Sequence, residues 1–187
     1  MGRYPDIIFR HRAPHIPGRQ TAMYRILIFG NSGSGKSTMA RDLSRRYGIA
    51  HLDLDQLAWS EPAVRKPLTE SAADIAAFTR RNQEWVAEGC YAGLLELLLE
   101  QATEVRFLNP GIDACVANCR SRPWEPEKYA SKEEQDSRLD FLLDWVREYV
   151  TRDDEYSLAS HRALFDRFRG PKKEYAGTQP AGRESPS

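Results

Sequence analysis

The stretch that decides the fold is YRILIFGNSGSGKST, residues 24–38. Residues 24–29 are mostly apolar or aromatic and predict a buried β-strand. The nine residues that follow fit the pattern G-x-x-x-x-G-K-[ST], in which a glycine-rich loop joins a strand to the first turn of a helix. Because an apolar run precedes this loop and a helical pattern follows it, the sequence predicts a binding site for the phosphates of a nucleoside triphosphate.

The residue types in this phosphate loop have physical reasons. Its glycines can adopt positive φ and keep Cβ atoms away from a phosphate, and its N–H groups lie at a helix N-terminus, which favours an anion. We expect Lys36 to reach the β- and γ-phosphates, Ser37 to offer its hydroxyl to Mg²⁺, and Thr38 to lie against the α-phosphate. The predicted nucleotide-binding residues are Gly30, Asn31, Ser32, Gly33, Ser34, Gly35, Lys36, Ser37 and Thr38.

Short apolar runs alternate with longer amphipathic ones along the 187 residues. This alternation predicts an α/β protein of the three-layer P-loop NTPase type, with a parallel sheet of four to five strands, helices on both faces and a short lid. Strands are predicted at 24–29, 50–54, 84–88 and 104–108, and helices at 36–47, 69–81, 92–100, 112–120, 136–150 and 158–169. No convincing fifth strand follows Val150. Ligands of such sheets bind at the carboxyl ends of the strands.

The two ends of the chain differ from its middle. Residues 1–22 carry four arginines, one acid and three prolines, and we predict a disordered leader, with Met23 a possible true start. Gly170-Pro171 breaks the last helical pattern, and the polar segment 171–187 is predicted to be a disordered tail. The predicted folded domain is therefore 23–170.

Composition argues against several classes of protein. No run of some 18 apolar residues exists, so a membrane-spanning helix is not expected. The three cysteines form no C-x-x-C pair, which disfavours a disulfide scaffold and predicts a cytoplasmic protein. The net charge is zero, with 20 basic and 24 acidic residues in 23–169, so no stable nucleic-acid contact is expected. A monomer or a homodimer is predicted.

Acidic side chains follow the next two predicted strands. Strand alternation would bring Asp53 and Asp55 to one face, where Asp53 could hold water on Mg²⁺ and Asp55 could accept a proton from an acceptor hydroxyl. The alternative is a pair of solvated aspartates that cap a turn. Glu88 could likewise hold the waters of Mg²⁺ or bind the acceptor, or it could cap the helix that starts near Ala92.

A short lid is predicted at about 121–135, because Pro123 and Pro126 stop the preceding helix. Arg120 and Arg122 flank its start, and we assign them to the transferring phosphoryl group, with Arg120 preferred by position. The alternative is a basic helix end that interacts with the helix dipole.

The candidate acceptor-binding residues are Asp55, Trp59, Arg65 and Glu88. Arg65 could bind an anionic group, although exposed loop cations are usually solvated, and Trp59 could stack on a planar acceptor or serve as an interfacial core residue. His161 and Arg162, in the last predicted helix, are interpreted as a solvated helix face.

Taken together, these motifs resemble the adenylate-kinase and shikimate-kinase branch of P-loop small-molecule kinases, and are most similar to the proteins named DNA topology modulation protein, or adenylate kinase and related kinases. The shared pieces are Gly30–Thr38, His51-Leu52-Asp53 with Trp59, Trp85–Tyr91, Phe107-Leu108-Asn109-Pro110 and Arg120-x-Arg122. They cover most of 23–150. The resemblance implies a five-stranded parallel core, a mobile lid and ATP·Mg²⁺ as the phosphoryl donor.

The chain departs from both family patterns near the acceptor. Adenylate kinases carry D-G-F-P-R where this chain has Glu88–Ala92, so the arginine that grips a nucleoside monophosphate is missing. Asp53-Leu54-Asp55 is similar to the D-x-D of shikimate kinases, which favours a hydroxyl acceptor, but Gly89–Tyr91 is not their triple-glycine turn. Asn109 stands where relatives usually have Asp.

The sequence thus predicts an ATP-dependent kinase that transfers the γ-phosphate to a small-molecule acceptor, either a hydroxyl or a nucleotide phosphate. The residues assigned to catalysis are Lys36, Asp55, Arg120 and Arg122, and those assigned to the metal are Ser37, Asp53 and Glu88. The alternative is a non-catalytic or weakly hydrolytic nucleotide-gated regulator of the DNA topology modulation type. The acceptor, and the choice between ATP and GTP, stay open.

Overall fold

The computed structural model describes residues 23–61, 64–126 and 129–177. Its central sheet contains β1 (Arg25–Gly30), β2 (Ala50–Asp53), β5 (Trp85–Gly89), β6 (Glu104–Asn109) and β7 (Lys172–Ala176), numbered in chain order. A separate antiparallel hairpin consists of β3 (Trp59–Glu61) and β4 (Val64–Arg65). The central strands are all parallel, in the order β2-β5-β1-β6-β7. The predicted fold class is confirmed, whereas the predictions for residues 1–22 lie outside the described residues.

Helices connect and cover the strands. Over the described ranges they are α1 (Lys36–Tyr47), α2 (Asp55–Ala58), α3 (Leu68–Arg81), α4 (Ala92–Leu99), α5 (Ile112–Arg120), α6 (Lys132–Ser137), α7 (Leu139–Arg147) and α8 (Leu158–Arg167), with a 3₁₀ turn at Glu148–Val150. The prediction of a single helix over 136–150 is wrong, because the helix is interrupted between α6 and α7. α6 buries no residue, whereas α7 buries Leu143 and Val146, so only α7 follows the apolar stripe. No helix among these is both long and apolar enough to cross a membrane.

The central strand β1 is buried on both faces. Leu27 and Phe29 pack into the core beneath α3, α4 and α8, whereas Ile26 and Ile28 pack against Ala40 and other residues on the α1 side. Because successive strand residues point to opposite faces, this arrangement requires the unbroken apolar run that the sequence displays. The loop that leaves β1 is therefore held by a rigid strand.

The prediction of a disordered tail at 171–187 is wrong in its first part, because Lys172–Ala176 forms the fifth strand of the sheet. It pairs in parallel with Val105–Asn109 of β6. Arg162 donates two 2.7 Å hydrogen bonds to the carboxylate of Glu174, which also accepts one from Asn109. Polar contacts hold much of this edge strand in place, and for this reason its sequence does not need the apolar pattern of the other strands. The domain thus extends beyond 170, and the tail prediction stands only for 178–187, outside the described residues.

The interpretation of His161 and Arg162 as a solvated helix face is also wrong. His161 has no exposed surface; its Nδ1 lies 2.8 Å from Tyr149 Oη and its Nε2 lies 2.9 Å from the Cys90 carbonyl oxygen. Its ring packs against Phe29 and Phe107. Burial lowers the pKa of His161 to about 4, so the imidazole is neutral at neutral pH.

We expect this histidine to make folding stability depend on pH. Above its unfolded pKa of about 6.5, neither state is protonated and the effect is absent. As pH falls from about 6.5 to about 4, the histidine binds a proton in the unfolded state but not in the folded state. The free energy of unfolding therefore falls by up to about 3 kcal/mol. Urea unfolding at pH 4.5 and 7.5 measures the difference. In His161→Gln the pH dependence should shrink; an equal dependence in both proteins would contradict the assignment.

Removal of β7 should destabilise the domain. A chain that ends after Gly170 loses the five paired residues of the edge strand and the Glu174 partner of Arg162. We expect a loss of about 3 kcal/mol, or about 10 °C in Tm for a domain of this size. A chain that ends after Gly177 is the matched control and should melt like the full protein. Equal melting of both truncated chains would contradict the role of β7.

Candidate active site

The phosphate loop leaves β1 at Gly30, where the chain passes very close to β6. Gly30 has φ of 149°, and a Cβ there would lie 2.1 Å from the Leu108 carbonyl oxygen. No side chain fits at that separation, so only glycine allows the loop to turn at this point.

Helix α5 supports the middle of the loop. Gly33 has φ of 75°, and a Cβ there would lie 2.3 Å from the Cys115 carbonyl oxygen and 2.7 Å from Cys119 Sγ. Asn118 donates from Nδ2 to the Gly33 carbonyl oxygen at 2.8 Å. Sequence reasoning missed Asn118, because an amide in a helix gives no signal of the loop that it contacts.

Side chains within the loop fix its shape. Asn31 is buried, donates from Nδ2 to the Val146 carbonyl oxygen of α7 at 3.0 Å, and accepts from the Ser32 N–H at 2.8 Å. The ammonium of Lys36 donates to the Asn31 carbonyl oxygen at 2.9 Å. The hydroxyl of Ser34 is buried with no hydrogen-bond partner, and an unpartnered polar atom at this place suits a ligand that supplies one.

A cleft of about 1700 Å³ opens at the carboxyl edge of the sheet, as expected for this fold. Residues 32–38 of the loop line it, and the predicted side chains Asp55, Trp59, Glu88 and Arg122 line it as well. Asp53, Arg65 and Arg120 are not among its lining residues. Of the residues that the sequence analysis assigned to the site, the loop and the side chains of Asp55, Trp59, Glu88 and Arg122 therefore share one cleft, whereas the other three do not line it.

Glu88 is the most unusual acid of this cleft. Its side chain is buried, Oε1 has no hydrogen-bond partner, and His51 Nε2 lies 3.7 Å away, also without one. It does not cap α4, because Glu155 accepts from the first N–H groups of that helix, those of Ala92 and Gly93. Glu88 pairs in register with Asp53, whose Oδ1 accepts from the Asp55 N–H at 2.9 Å, as the turn-capping alternative predicted.

Asp55 does not continue the strand, so the prediction that it shares a strand face with Asp53 is wrong. β2 ends at Asp53, and Asp55 opens the short helix α2. Tyr91 donates from Oη to Asp55 Oδ1 at 2.7 Å and accepts from Trp59 Nε1 at 2.9 Å. Burial, together with the nearby Asp55 charge, raises the pKa of Tyr91 far above its usual value, which keeps this donor protonated. Tyr91 was not among the predicted site residues.

The two predicted lid arginines differ in position. Arg122 lines the cleft, and its guanidinium lies 3.5 Å from Ser32 Oγ and 3.3 Å from Glu125 Oε2. Arg120 ends α5, is exposed and lies outside the cleft. Of the two predicted arginines, Arg122 therefore lines the cleft and the preferred one, Arg120, does not.

Arg65 is not a solvated cation, nor does it line the cleft. It donates to the Ala58 carbonyl oxygen at 3.0 Å, lies 3.4 Å from Glu155 Oε1 and stacks over the Tyr91 ring at 4.9 Å. These contacts hold the β3–β4 hairpin against the rest of the domain. Arg65 is thus a structural residue in this arrangement.

Cys90 lies beside the acids of the cleft without being a nucleophile. Burial raises the pKa of its thiol to about 12; Lys36 acts in the opposite direction, and Asp55 and Glu88 add to the rise. A neutral thiol is a poor nucleophile.

The residues present fit a nucleoside triphosphate and Mg²⁺. The unpartnered Ser34 hydroxyl and the loop N–H groups suit phosphate oxygens, and the unpartnered carboxylate of Glu88 supplies the hard oxygen ligand that Mg²⁺ or its waters prefer. The described residues contain no group of three potential metal ligands.

The known proteins that are similar to this chain include an adenylate kinase, a gluconokinase and a shikimate kinase. An adenylate kinase of Porphyromonas gingivalis is 41% identical over 51 residues, which are 27% of this chain and 26% of that protein. A gluconokinase from Sinorhizobium meliloti 1021 has TM-score 0.50 at 20% identity over 84% of this chain and 85% of that one. A shikimate kinase from Acinetobacter baumannii has TM-score 0.49 at 17% identity over 86% and 87%. No protein-family model matches.

The chain thus aligns with about a quarter of the length of its adenylate kinase relatives, and the gluconokinase likeness concerns the fold alone. These findings confirm the α/β fold, with a parallel five-stranded sheet flanked by helices. The finer likeness to DNA topology modulation proteins stays a prediction.

Gly33 tests the packing of the loop against α5. Gly33→Ala should cost more than about 3 kcal/mol or displace the loop, because its new methyl group meets the Cys115 backbone, and Mg·ATP binding measured by calorimetry should be lost. Gly48→Ala is the matched control: Gly48 also has positive φ, at 65°, but nothing lies within 4 Å of its added Cβ. The control should cost about 1 kcal/mol and keep binding. Equal effects of both changes would contradict the packing argument.

Proposed function

We propose that this chain is an ATP- and Mg²⁺-dependent kinase that transfers the γ-phosphate to a small-molecule acceptor. The observation that carries the proposal is that the phosphate loop, the buried carboxylate of Glu88 and the carboxylate of Asp55 open onto one cleft. The comparisons with kinases support the same conclusion.

The loop side of the cleft would hold the donor. The N–H groups of the loop and the Ser34 hydroxyl would bind phosphate oxygens, and the Lys36 ammonium would exchange the Asn31 carbonyl for the β- and γ-phosphates. Ser37 and Glu88 would hold Mg²⁺ directly or through its waters. The ion, when bound, would offset the negative charge that develops between the β- and γ-phosphates. Of the two carboxylates predicted for the metal, Glu88 lines the cleft, whereas Asp53 holds a turn.

The opposite side of the cleft would hold the acceptor. Asp55 would take the proton of an attacking hydroxyl, with Tyr91 keeping its carboxylate oriented. The guanidinium of Arg122, 3.5 Å from Ser32 Oγ, would donate to the equatorial oxygens of the transferring group. A cleft of about 1700 Å³ has room for both partners, since the pocket for a single small ligand has a volume of about 300–1,000 Å³.

The regulator hypothesis has less support. A regulator that is gated by a nucleotide needs the nucleotide site, but it does not need carboxylates beside that site to bind or activate an acceptor. Glu88 and Asp55 in the same cleft, together with the kinase relatives, favour phosphoryl transfer.

Lys36→Ala tests the donor site. Because the ammonium would bind the phosphates during transfer, we expect ADP release to fall about 10²–10³-fold. The Tm should not drop, since Lys36 makes one hydrogen bond at the surface of the cleft. ADP release is measured by a coupled assay with saturating Mg·ATP, and nucleotide binding by calorimetry.

Lys132→Ala is the matched control for this change. Lys132 lies on α6, where it pairs with the exposed Asp136, so its loss should leave ADP release unchanged. Full activity in Lys36→Ala, or an equal loss in both variants, would refute the assignment.

A further inference from the structure

The segment that carries Arg122 follows α5 and lies against the phosphate loop. We call residues 121–126 the arginine loop. Arg122 donates from Nη1 to Glu125 Oε2 at 3.3 Å and from Nη2 to Ser32 Oγ of the phosphate loop at 3.5 Å. Arg122 and Glu125 both line the cleft. The position of the arginine loop backbone therefore determines where the guanidinium lies relative to the phosphate loop.

A side chain from outside the arginine loop holds two of its backbone groups. Gln135, on α6, accepts with Oε1 from the Glu125 N–H at 2.8 Å and donates from Nε2 to the Pro123 carbonyl oxygen at 3.1 Å. A carboxamide presents an acceptor and donors side by side, so one side chain can serve both backbone groups. Pro123 directly follows Arg122, and Glu125 is the carboxylate that Arg122 contacts. Both bonds therefore act immediately beside Arg122.

Gln135 differs from the other polar residues of α6. The helix buries no residue, and its ion pairs Lys132–Asp136 and Glu134–Arg138 join residues one turn apart. Both side-chain hydrogen bonds of Gln135 instead reach residues 10 and 12 positions earlier in the chain. A side chain that stabilised α6 itself would bond within the helix, so these bonds serve the arginine loop.

A loop that is ordered before its ligand arrives binds that ligand more tightly. Fixing a backbone residue or a long side chain costs conformational entropy, and an arginine has one of the largest side-chain entropies. When this ordering happens only on binding, its cost is subtracted from the affinity. The two bonds from Gln135 order the backbone around Arg122 in the absence of a nucleotide.

We propose that Gln135 is a positioning residue, which holds the arginine loop in the conformation where Arg122 donates to the γ-phosphate of Mg·ATP. This inference rests on the proposed function, in which Arg122 contacts the transferring group. Gln135 is not among the residues that line the cleft, so it acts through Arg122 rather than on the nucleotide. On binding, the guanidinium exchanges Glu125 for a phosphate oxygen, while the backbone bonds to Gln135 persist.

A comparison of Mg·ATP with Mg·ADP isolates contacts to the γ-phosphate. Gln135→Met keeps the length of the side chain and removes both hydrogen bonds. By calorimetry we expect Mg·ATP to bind about 10-fold more weakly and Mg·ADP to bind within about 2-fold of its wild-type affinity. The Tm should not change, since α6 buries no residue. Unchanged Mg·ATP affinity, or an equal loss for both nucleotides, overturns the inference.

Removal of Arg122 tests whether Gln135 acts through it. Arg122→Leu should weaken Mg·ATP binding about 10-fold or more, and Gln135→Met should cause no further loss in that background, because residues that act through one contact are not additive. A residue with a merely structural role would cause the same loss in both backgrounds. Additive losses, or unchanged Mg·ATP affinity in Arg122→Leu, would overturn the inference.

Hydrogen exchange gives a readout without nucleotide. The Glu125 amide should exchange faster in Gln135→Met than in the wild-type chain, since its N–H loses its acceptor; equal exchange rates would contradict the proposal. Gln101→Met is the matched control for all these measurements. Gln101 is exposed and donates to the Leu97 carbonyl oxygen at 3.4 Å, so its loss should change neither nucleotide affinity nor Glu125 exchange.

The wild-type titration separates this inference from the proposed function. Absent binding of Mg·ATP to the wild-type chain would overturn the kinase proposal. Normal wild-type binding, with Mg·ATP affinity that does not respond to Gln135→Met, would overturn only the role of Gln135.

Discussion

The structure depends on one close approach: Gly30 passes so near the Leu108 carbonyl oxygen that a Cβ would lie 2.1 Å from it. That approach brings the end of β1 against the end of β6, and the chain that leaves β6 turns into α5, which supports Gly33. The phosphate loop is thus shaped by close backbone contacts on both sides as well as by its own side chains. A loop held in this way exposes its N–H groups without further ordering when an anion arrives, which is the preorganisation that phosphate binding needs.

How well the sequence predicted each element depends on what stabilises it. Helices α1 and α5 match their predicted bounds because an amphipathic stripe is a local signal. β7 was missed because its residues, KKEYA, are mostly charged; the strand is specified by partners elsewhere in the chain, namely Val105–Asn109 and Arg162. His161 was misjudged for the same reason, since nothing around a histidine in sequence reveals two hydrogen-bond partners 12 and 71 residues away.

The parts of the candidate site likewise differ in how well the sequence predicts them. The phosphate loop is contiguous, and its motif could be recognised from nine residues. The aromatic part of the cleft is assembled from separate segments: Trp59 after α2, Tyr91 before α4, Trp145 on α7 and Tyr156 before α8. Only the fold brings these rings together. Arg65 and Arg120 do not line the cleft, so the sequence could not predict which arginines do.

Helix α7 connects the two halves of the site. The Val146 carbonyl oxygen accepts from Asn31 in the phosphate loop, and the neighbouring residue, Trp145, lines the cleft and contacts Tyr156. Adjacent residues of one helix therefore contact the phosphate loop and line the cleft beside it, so a rigid element sets the separation between the two. Phosphoryl transfer requires little from a protein beyond correct positioning and charge stabilisation. A helix that contacts the phosphate loop and lines the cleft would meet the positional requirement of the proposed transfer, and its hydrogen bond with Asn31 explains why that side chain is buried.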